Sequence, residues 1–188
     1  MPAALMNAWL ADMILINPFD PANSRLLIED IVLSNVGAFR QVDPNAAEAG
    51  GILLGFRRAS HLHVTIATPP GPRDLRTKFS FSRDDESHQR IALSEWLRSE
   101  ETMDYIGEWH THPESHPQPS SLDVREWQQI CRRRAEPMIF MIQGILGSWI
   151  GFGVGRAIKA ATRAPATQRT VAHSNLIRPK PDTSSVAE

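Results

Sequence analysis

The sequence contains a single cysteine, Cys131, among its 188 residues. This count excludes a disulfide within the chain and a zinc site built from several cysteines. Any zinc ion would have to be bound by histidine and carboxylate ligands. We expect Cys131 to be a buried thiol. A lone thiol also agrees with a reducing compartment, and we predict that the protein is cytoplasmic.

Long uninterrupted hydrophobic runs are also missing. The most apolar stretch, residues 138–155, is interrupted by Gln143, Ser148 and five glycines. A membrane-spanning helix needs about 20 predominantly apolar residues, so this stretch predicts two buried strands instead. Residues 1–20 contain no basic segment and carry Asp12 within their apolar part, which is unlike a signal peptide. We therefore expect no association with a membrane.

Neither sign of charge is in clear excess, because the formal net charge is only -1. This balance argues against a general nucleic-acid binder. Residues 156–188 hold six Lys or Arg and only two Asp or Glu, and they are rich in Pro, Ser and Thr. The composition predicts an N-terminal extension over 1–24, one domain over 25–158, and a basic, largely disordered tail over 159–188.

Hydrophobic periodicity predicts an α/β domain with a mixed sheet flanked by helices. The predicted strands cover residues 25–30, 48–58, 61–68, 77–83, 103–112 and two segments of 138–155, and the predicted helices cover 31–42, 85–101 and 121–134. In the helix over 85–101, Leu93, Trp96 and Leu97 follow helical spacing. We predict that Trp96, Trp127 and Trp149 belong to the core.

Two histidines at alternate positions end the predicted strand over 103–112. Side chains two residues apart in a strand share a face, so His110 and His112 can bind one metal ion. Trp109 and Thr111 then point to the opposite face. Asp123 lies in the first turn of the next predicted helix and can point back at the strand end. Two imidazoles and one carboxylate leave a fourth tetrahedral position for water, which is typical of catalytic zinc.

Ser120 has two interpretations that do not exclude each other. With Asp123 it forms an S-x-x-D pattern before an apolar run, which is typical of a capping box at a helix start. A helix N-terminus is also a place where hydrogen-bond donors are free, so a hydroxyl group there can serve chemistry.

The spacing of the histidine motif occurs a second time in the chain. His61 and His63 are again two residues apart, and Asp74 follows His63 by the same eleven residues. Spacing alone therefore does not discriminate. The second copy has Gly71 where the first has a serine, and no strong helix follows Asp74. We predict that His61 and His63 lie on an exposed strand face.

A zinc site with an open position needs a general base to accept a proton from water. Glu108 and Glu114 are close to the motif, and Glu108 shares the histidines' strand face. Glu48 begins the apolar, glycine-rich run 48–55, where a carboxylate is costly to bury without a partner or a task. Spacing does not choose among these three residues.

The segment H-T-H-P at 110–113, followed by S-S-L-D at 120–123, resembles the signature of the JAMM metalloproteases, also called the MPN+ or JAB1/Mov34 family. The run E-A-G-G-I-L-L-G at 48–55 is similar to the family's upstream glutamate segment. The resemblance covers roughly residues 25–155. It implies a cytidine-deaminase-like α/β fold.

The resemblance also implies a role for each residue that matches the signature. His110, His112 and Asp123 match the zinc ligands of that family. Glu48 matches its general acid/base, and Ser120 matches the residue that stabilises the oxyanion. These five positions show no departure from the family pattern, so we expect an active enzyme with one zinc ion.

The implied reaction is hydrolysis of a peptide or isopeptide bond, often at the C-terminus of a ubiquitin-like modifier. The short chain is similar to the prokaryotic JAB group, whose members resemble partners of E1/E2-like conjugation enzymes, including those of CBASS antiphage systems. Two alternatives stay open. One is a peptidase that processes a sulfur-carrier protein or a small peptide, and the other is a non-catalytic, zinc-containing interaction module.

Residues 71–90 are a candidate substrate-binding insert. Phe79 and Phe81 alternate there on a predicted strand, which could pair with an extended peptide tail. An ordinary charged strand followed by a helix start would have the same pattern.

Overall fold

A computed structural model describes residues 12–165 of the protein. This part of the chain forms eleven strands and three helices. The strands are β1 (Met13–Ile16), β2 (Arg25–Ile28), β3 (Gly50–Arg58), β4 (His61–Ala67), β5 (Leu75–Thr77), β6 (Ser80–Ser82), β7 (Asp104–Thr111), β8 (Met138–Gln143), β9 (Ser148–Val154), β10 (Ala157–Ala160) and β11 (Thr162–Arg163). The helices are α1 (Asp30–Gly37), α2 (Ser87–Arg98) and α3 (Ser121–Arg132).

Nine strands form one mixed sheet in the order β10-β9-β8-β7-β3-β4-β2-β1-β11. The pairs β2–β4 and β7–β8 are parallel, and the others are antiparallel. The prediction of an α/β fold with a mixed sheet is confirmed. The sheet extends beyond the predicted domain bounds, because β1 precedes residue 25 and β11 follows residue 158. The predicted tail starts at 159, and its residues 166–188 lie outside the described part of the chain.

The two faces of the sheet carry different helices. On one face, α1 packs its buried side chains against the main core, which includes Leu53, Trp109 and Met141. On the other face, Phe140 belongs to the cluster under α3 and Ile52 to the cluster under α2. Glu108 of β7 points to this second face, because it pairs with both Ile52 and Phe140. His110, two residues further along β7, shares this face.

The back face of β7 is buried as predicted. Trp109 is 2% exposed and Thr111 is fully buried. The Trp109 indole donates to the Thr68 carbonyl at 3.0 Å. The Thr111 hydroxyl accepts from the Ala49 N–H at 2.9 Å and donates to Gln41 at 3.1 Å. These bonds hold the end of β7 against the segment that leads into β3.

Helix α2 turns a different face to the sheet than its periodicity predicted. Leu93, Trp96 and Leu97 are exposed, and the prediction that Trp96 belongs to the core is wrong. His88 is buried instead, and Ile91 packs against the cluster under the helix. His88 forms buried hydrogen bonds with Thr68 and Asp74 on this face of the helix, and the spacing of apolar residues does not predict them.

The other two tryptophans predicted for the core, and the cysteine, lie between α3 and the sheet. Trp127 is 3% exposed and stacks on Phe140 at 4.7 Å and on Trp149 at 5.4 Å between ring centroids. Trp149 is half-buried in this stack. Cys131 is a buried free thiol, as predicted.

The segment predicted as one strand over 77–83 is a hairpin. Strands β5 and β6 pair with each other in a separate two-stranded sheet. Phe79 lies in the turn between them, so it does not alternate with Phe81 along one strand.

No helix within residues 12–165 has the length and apolar character needed to cross a membrane.

Candidate metal centre

Two imidazoles and one carboxylate converge at the end of β7. The Nε2 atoms of His110 and His112 are 3.0 Å apart. Asp123 Oδ1 lies 3.3 Å from His110 Nε2, and Asp123 Oδ2 lies 3.6 Å from His112 Nε2. Two ligands on one tetrahedral ion, with bonds of about 2.0–2.1 Å, are about 3.3 Å apart. The three side chains therefore fit a single zinc-sized ion, and this donor set is one that zinc uses.

The strand and the loop that follows it place the two histidines. His110 is the penultimate residue of β7, and its ring lies 6.0 Å from the Trp127 ring of α3. His112 follows β7 directly, and its backbone N–H donates to the Gln143 carbonyl at 3.0 Å. The parallel pairing of β7 with β8 thus continues to the second histidine and keeps both rings on one face.

A capping box at the start of α3 places the carboxylate. The Asp123 N–H donates to the Ser120 hydroxyl at 3.2 Å, and the Ser120 N–H donates to Asp123 Oδ2 at 2.6 Å. Burial would raise the pKa of Asp123, but hydrogen bonds from His110 and Ser120 outweigh burial and lower it to about 2. Asp123 is therefore an ionised carboxylate at neutral pH. The capping interpretation of Ser120 is the observed geometry.

Glu114 contacts the far side of the His112 ring. Its Oε2 lies 3.1 Å from His112 Nδ1, so Nε2 faces the cluster. Burial, and then the neighbouring His110, lower the pKa of His112, which favours the neutral imidazole that a metal requires. A carboxylate on the outer nitrogen is the usual way in which proteins orient a ligand histidine. Glu114 is thus placed to fix the orientation of His112.

Glu48 is the buried carboxylate of the site. It is 5% exposed and lines the same cleft as His110 and Asp123. Burial, and then the negative charges of Asp123 and Glu114, raise the pKa of Glu48 to about 8. A carboxyl group with such a pKa can both accept and return a proton near neutral pH.

Glu108, the third candidate base, is occupied by other partners. Its Oε1 accepts from Arg83 at 2.7 Å and from the Tyr105 hydroxyl at 2.9 Å. Burial, and then the charge of Glu108, raise the pKa of Tyr105 well above its usual range, so the phenol keeps its proton. The sequence interpretation missed the Arg83–Glu108–Tyr105 group, because its members are up to 25 residues apart and share no local motif.

The cluster opens into a cleft of about 740 Å³. Phe79, Phe81 and Leu122 contribute apolar surface, and Ser120 lies at the same opening. Phe79 is 71% exposed in the hairpin turn. Several residues of an extended peptide fit a space of this size. The fold therefore brings all five signature positions and both insert phenylalanines to one cleft.

The second histidine pair lies on another part of the sheet. His61 is exposed, as predicted, and its Nδ1 accepts from the Arg25 N–H at 3.0 Å. His63 is half-buried and its Nε2 is 2.8 Å from Glu29. Asp74 is not near this pair, because its carboxylate binds His88 in the interior.

The fold and the cluster together define a class of protein. A mixed α/β sheet that presents two histidines, an aspartate and a buried glutamate in one cleft is the arrangement of a metal-dependent hydrolase domain. A sequence profile of the family described as prokaryotic homologs of the JAB domain matches residues 38–162. The chain belongs to this family, and with it to the JAMM-type hydrolases.

The names of curated relatives describe isopeptidases and a metalloprotease, in agreement with this family. A protein of Escherichia coli named "CD-NTase/cGAS isopeptidase" is 34% identical over 148 residues, which cover 79% of this chain and 92% of the relative. A Pseudomonas aeruginosa protein of the same name is 35% identical over 144 residues, covering 74% and 84%. A Sinorhizobium fredii protein named "Probable metalloprotease y4qB" is 31% identical over 109 residues, covering 55% and 66%.

A solved structure agrees with the fold. Protein DSY2949 from Desulfitobacterium hafniense superposes with a TM-score of 0.52 at 20% sequence identity. The match covers 71% of this chain and 87% of that chain. At this identity the likeness concerns the fold alone.

Proposed function

We propose that this protein is a zinc-dependent isopeptidase that hydrolyses the bond between the C-terminus of a ubiquitin-like modifier and a lysine of a target protein. The observation that carries the proposal is the convergence of His110, His112 and Asp123 beside the buried Glu48 in one cleft. The relatives named CD-NTase/cGAS isopeptidase support a CD-NTase-like enzyme as the conjugated target.

His110, His112 and Asp123 are the residues that would hold the zinc ion. When bound, zinc lowers the pKa of a coordinated water and polarises the substrate carbonyl. Asp123 is ionised, and His112 favours its neutral form, so the donor set is ready to bind a cation without first losing several protons.

Glu48 is the residue that we propose moves the proton. It accepts a proton from the attacking water as the new C–O bond forms, and it delivers that proton to the lysine nitrogen as the C–N bond breaks. The products are a carboxylate on the modifier and a free amine on the target. General acid–base catalysis of this kind contributes about 10²–10⁴-fold to the rate.

Ser120 is proposed to stabilise the negative charge that develops on the carbonyl oxygen. Its hydroxyl oxygen accepts the Asp123 N–H, and its own proton remains available for donation. The hydroxyl group is exposed at the mouth of the cleft, where substrate arrives. The cap and the catalytic interpretation of Ser120 therefore use different parts of one hydroxyl group.

The hairpin is the proposed binding surface for the modifier's tail. Within residues 12–165, β6 pairs only with β5, so its other edge keeps free backbone donors and acceptors. An extended tail can add to this edge as a further strand. Phe79, at the turn, and Phe81, beside the metal centre, would then supply apolar contacts.

The cellular setting is part of the proposal. We propose that the enzyme is cytoplasmic, that it reverses conjugation by E1/E2-like enzymes, and that it acts in antiphage defence. The relatives named CD-NTase/cGAS isopeptidase support the removal of a conjugate. Genes for an E1/E2-like enzyme and a CD-NTase next to the gene for this protein would be expected.

The decisive experiment uses two substrates. A small modifier is joined through its C-terminal carboxyl group to a lysine side chain of a carrier protein, and a matched linear fusion joins the same tail to an N-terminal amine. The zinc-loaded protein is expected to cleave the isopeptide-linked substrate, and a chelator should stop the reaction. Zinc-loaded protein that leaves both substrates intact at high enzyme concentration would refute hydrolysis.

The variant Glu48→Gln tests the proton-transfer assignment. It removes the acid/base group while keeping a similar shape, so we expect full zinc content and a loss of turnover of about 10³-fold. Glu126→Gln is the matched control, because Glu126 is an exposed carboxylate of the same cleft. Turnover by Glu48→Gln within tenfold of the wild type would show that another group carries the proton.

A further inference from the structure

The backbone around Glu48 is held by the β5–β6 hairpin. Glu48 precedes β3 and lies outside regular secondary structure. Its N–H donates to the Thr77 carbonyl at 2.7 Å. The Arg76 guanidinium donates from Nε to the Glu48 carbonyl at 2.5 Å and from Nη2 to the Ala47 carbonyl at 3.2 Å. Both backbone polar groups of Glu48 are therefore bound by consecutive residues of β5.

The base of the hairpin is fixed by the buried, hydrogen-bonded pair Asp74 and His88. Asp74 accepts from the Gly71 N–H at 2.6 Å, from the ring of His88 at 2.9 Å, and from the N–H groups of residues 84 and 85 at 2.9 Å each. The other nitrogen of His88 bonds to the Thr68 hydroxyl at 2.6 Å. The side chains of His88 and Asp74 are 1% and 0% exposed. Displacing the hairpin would break buried hydrogen bonds, which is costly.

The tip of the hairpin is also attached to the body of the protein. Gln41 Nε2 donates to the Lys78 carbonyl at 3.0 Å. The Phe81 ring lies so close to Gly50 that a Cβ atom at residue 50 would be 2.5 Å from it. The glycine at this position admits the ring, so the hairpin rests directly on the start of β3.

We propose that Arg76 is a positioning residue that sets the place of the Glu48 carboxylate through its backbone. The same hairpin forms a wall of the cleft through Phe79 and Phe81. Contacts of a substrate with the hairpin are therefore coupled to the placement of the proton-transferring group. The inference rests on the proposed role of Glu48, and it matters because a shift of about 1 Å in a catalytic group can cost about 100-fold in rate.

Amide hydrogen exchange tests whether Arg76 holds the backbone around Glu48, and it does so without reference to activity. In Arg76→Ala, the carbonyl groups of Ala47 and Glu48 lose the guanidinium donors that hold the segment, so exchange of the amides of residues 46–49 should accelerate about tenfold or more. Arg73→Ala is the matched control, because Arg73 belongs to the same insert and its exposed side chain lies 3.8 Å from Glu86, away from the backbone of Glu48. Unchanged exchange in Arg76→Ala would overturn the proposal.

Kinetics on the zinc-loaded protein test whether the placement of Glu48 by Arg76 matters for turnover. Arg76→Ala is expected to lower kcat about 10–100-fold while KM and zinc affinity stay within about twofold. Arg76→Lys keeps the charge but not the two-pronged geometry, so it should recover only part of kcat. Full activity of Arg76→Lys would show that charge alone acts and would also overturn the proposal.

Combining variants shows whether Arg76 acts through Glu48. In a Glu48→Gln background, Arg76→Ala should cause no further loss of kcat, whereas independent effects would multiply and contradict the proposal. The two hypotheses fail differently. If wild-type protein cleaves neither substrate, the proposed hydrolysis fails. If Glu48→Gln keeps its turnover, the acid/base assignment fails and the inference fails with it. If both behave as expected and Arg76→Ala is fully active, only the inference fails.

Discussion

Asp123 and Glu48 lie in one cleft, yet their pKa values move in opposite directions. Asp123 is held ionised by the Ser120 N–H and by His110. Within residues 12–165 no group donates to the Glu48 carboxylate, and burial beside negative charge raises its pKa to about 8. At the residue scale, hydrogen bonding therefore separates a carboxylate suited to binding a cation from one suited to moving a proton.

Glu114 gives the first prediction at this scale. Glu114→Gln removes the charged acceptor from His112 Nδ1, so the ring is less firmly oriented and less basic. We expect zinc affinity to fall about tenfold, measured by competition with a chromophoric chelator. Glu126→Gln removes an equal charge from the cleft and should leave zinc affinity unchanged. Equal affinities of the two variants would contradict an orienting role for Glu114.

At the scale of elements, the start of α3 combines stability and chemistry. Ser120→Ala removes the cap and the hydroxyl donor together. We expect the free energy of unfolding to fall by about 1 kcal/mol and turnover to fall about 100-fold. Ser120→Thr keeps both groups and should retain most of each property. Chemical denaturation and turnover measure the two effects, and Ser121→Ala, one residue further on, serves as the control.

The insert between β4 and α2 gives a second prediction at this scale. Asp74→Asn puts an amide group where four hydrogen-bond donors converge, so at least one buried donor loses its partner. We expect a loss of about 2–3 kcal/mol in the free energy of unfolding, measured by urea denaturation. Asp84→Asn, at an exposed position of the same insert, should change stability by less than about 0.5 kcal/mol. A neutral result for Asp74→Asn would mean that the buried pair does not anchor the hairpin.

At the scale of the whole molecule, the site makes the stability of the metal-free protein depend on pH. The Glu48 carboxyl has a pKa of about 8 in the folded state and an ordinary value of 4.5. Between these values the folded state binds more protons than the unfolded state. The contribution of Glu48 to the free energy of unfolding is therefore fully present below pH 4.5 and is lost as pH rises through 8.

The test compares urea midpoints of metal-free wild type and Glu48→Gln from pH 5 to pH 8. His112 acts in the opposite direction, since its lowered pKa makes the folded state gain stability as pH rises towards 6.5, above which the gain is complete. The difference between the two proteins isolates Glu48. The advantage of Glu48→Gln over wild type should grow with pH, and a constant difference would show that Glu48 is not buried beside negative charge.

Short-range pattern predicted the parts of this protein that depend on neighbours in sequence. Alternation placed His110 and His112 on one strand face, and the S-x-x-D pattern predicted the cap that now places Asp123. Most strands and all three helices follow from periodicity for the same reason, because local spacing decides which side chains share a face.

Contacts between distant segments decided the rest. Spacing left Glu48, Glu108 and Glu114 open, and only the family resemblance favoured Glu48, because spacing does not show that Arg83 occupies Glu108. It also favoured the wrong stripe of α2, since the buried pairing of His88 with Asp74 is not visible in helical spacing.

The amino-acid sequence by itself determined most of the elements and the histidine–serine–aspartate part of the family signature, since both rest on residues a few positions apart. Only the tertiary structure decided which carboxylate is buried beside the cluster and which hairpin holds its backbone. The physical reason is that burial and charge at Glu48 come from β5, α3 and the loop after β7, which meet only when the sheet is complete.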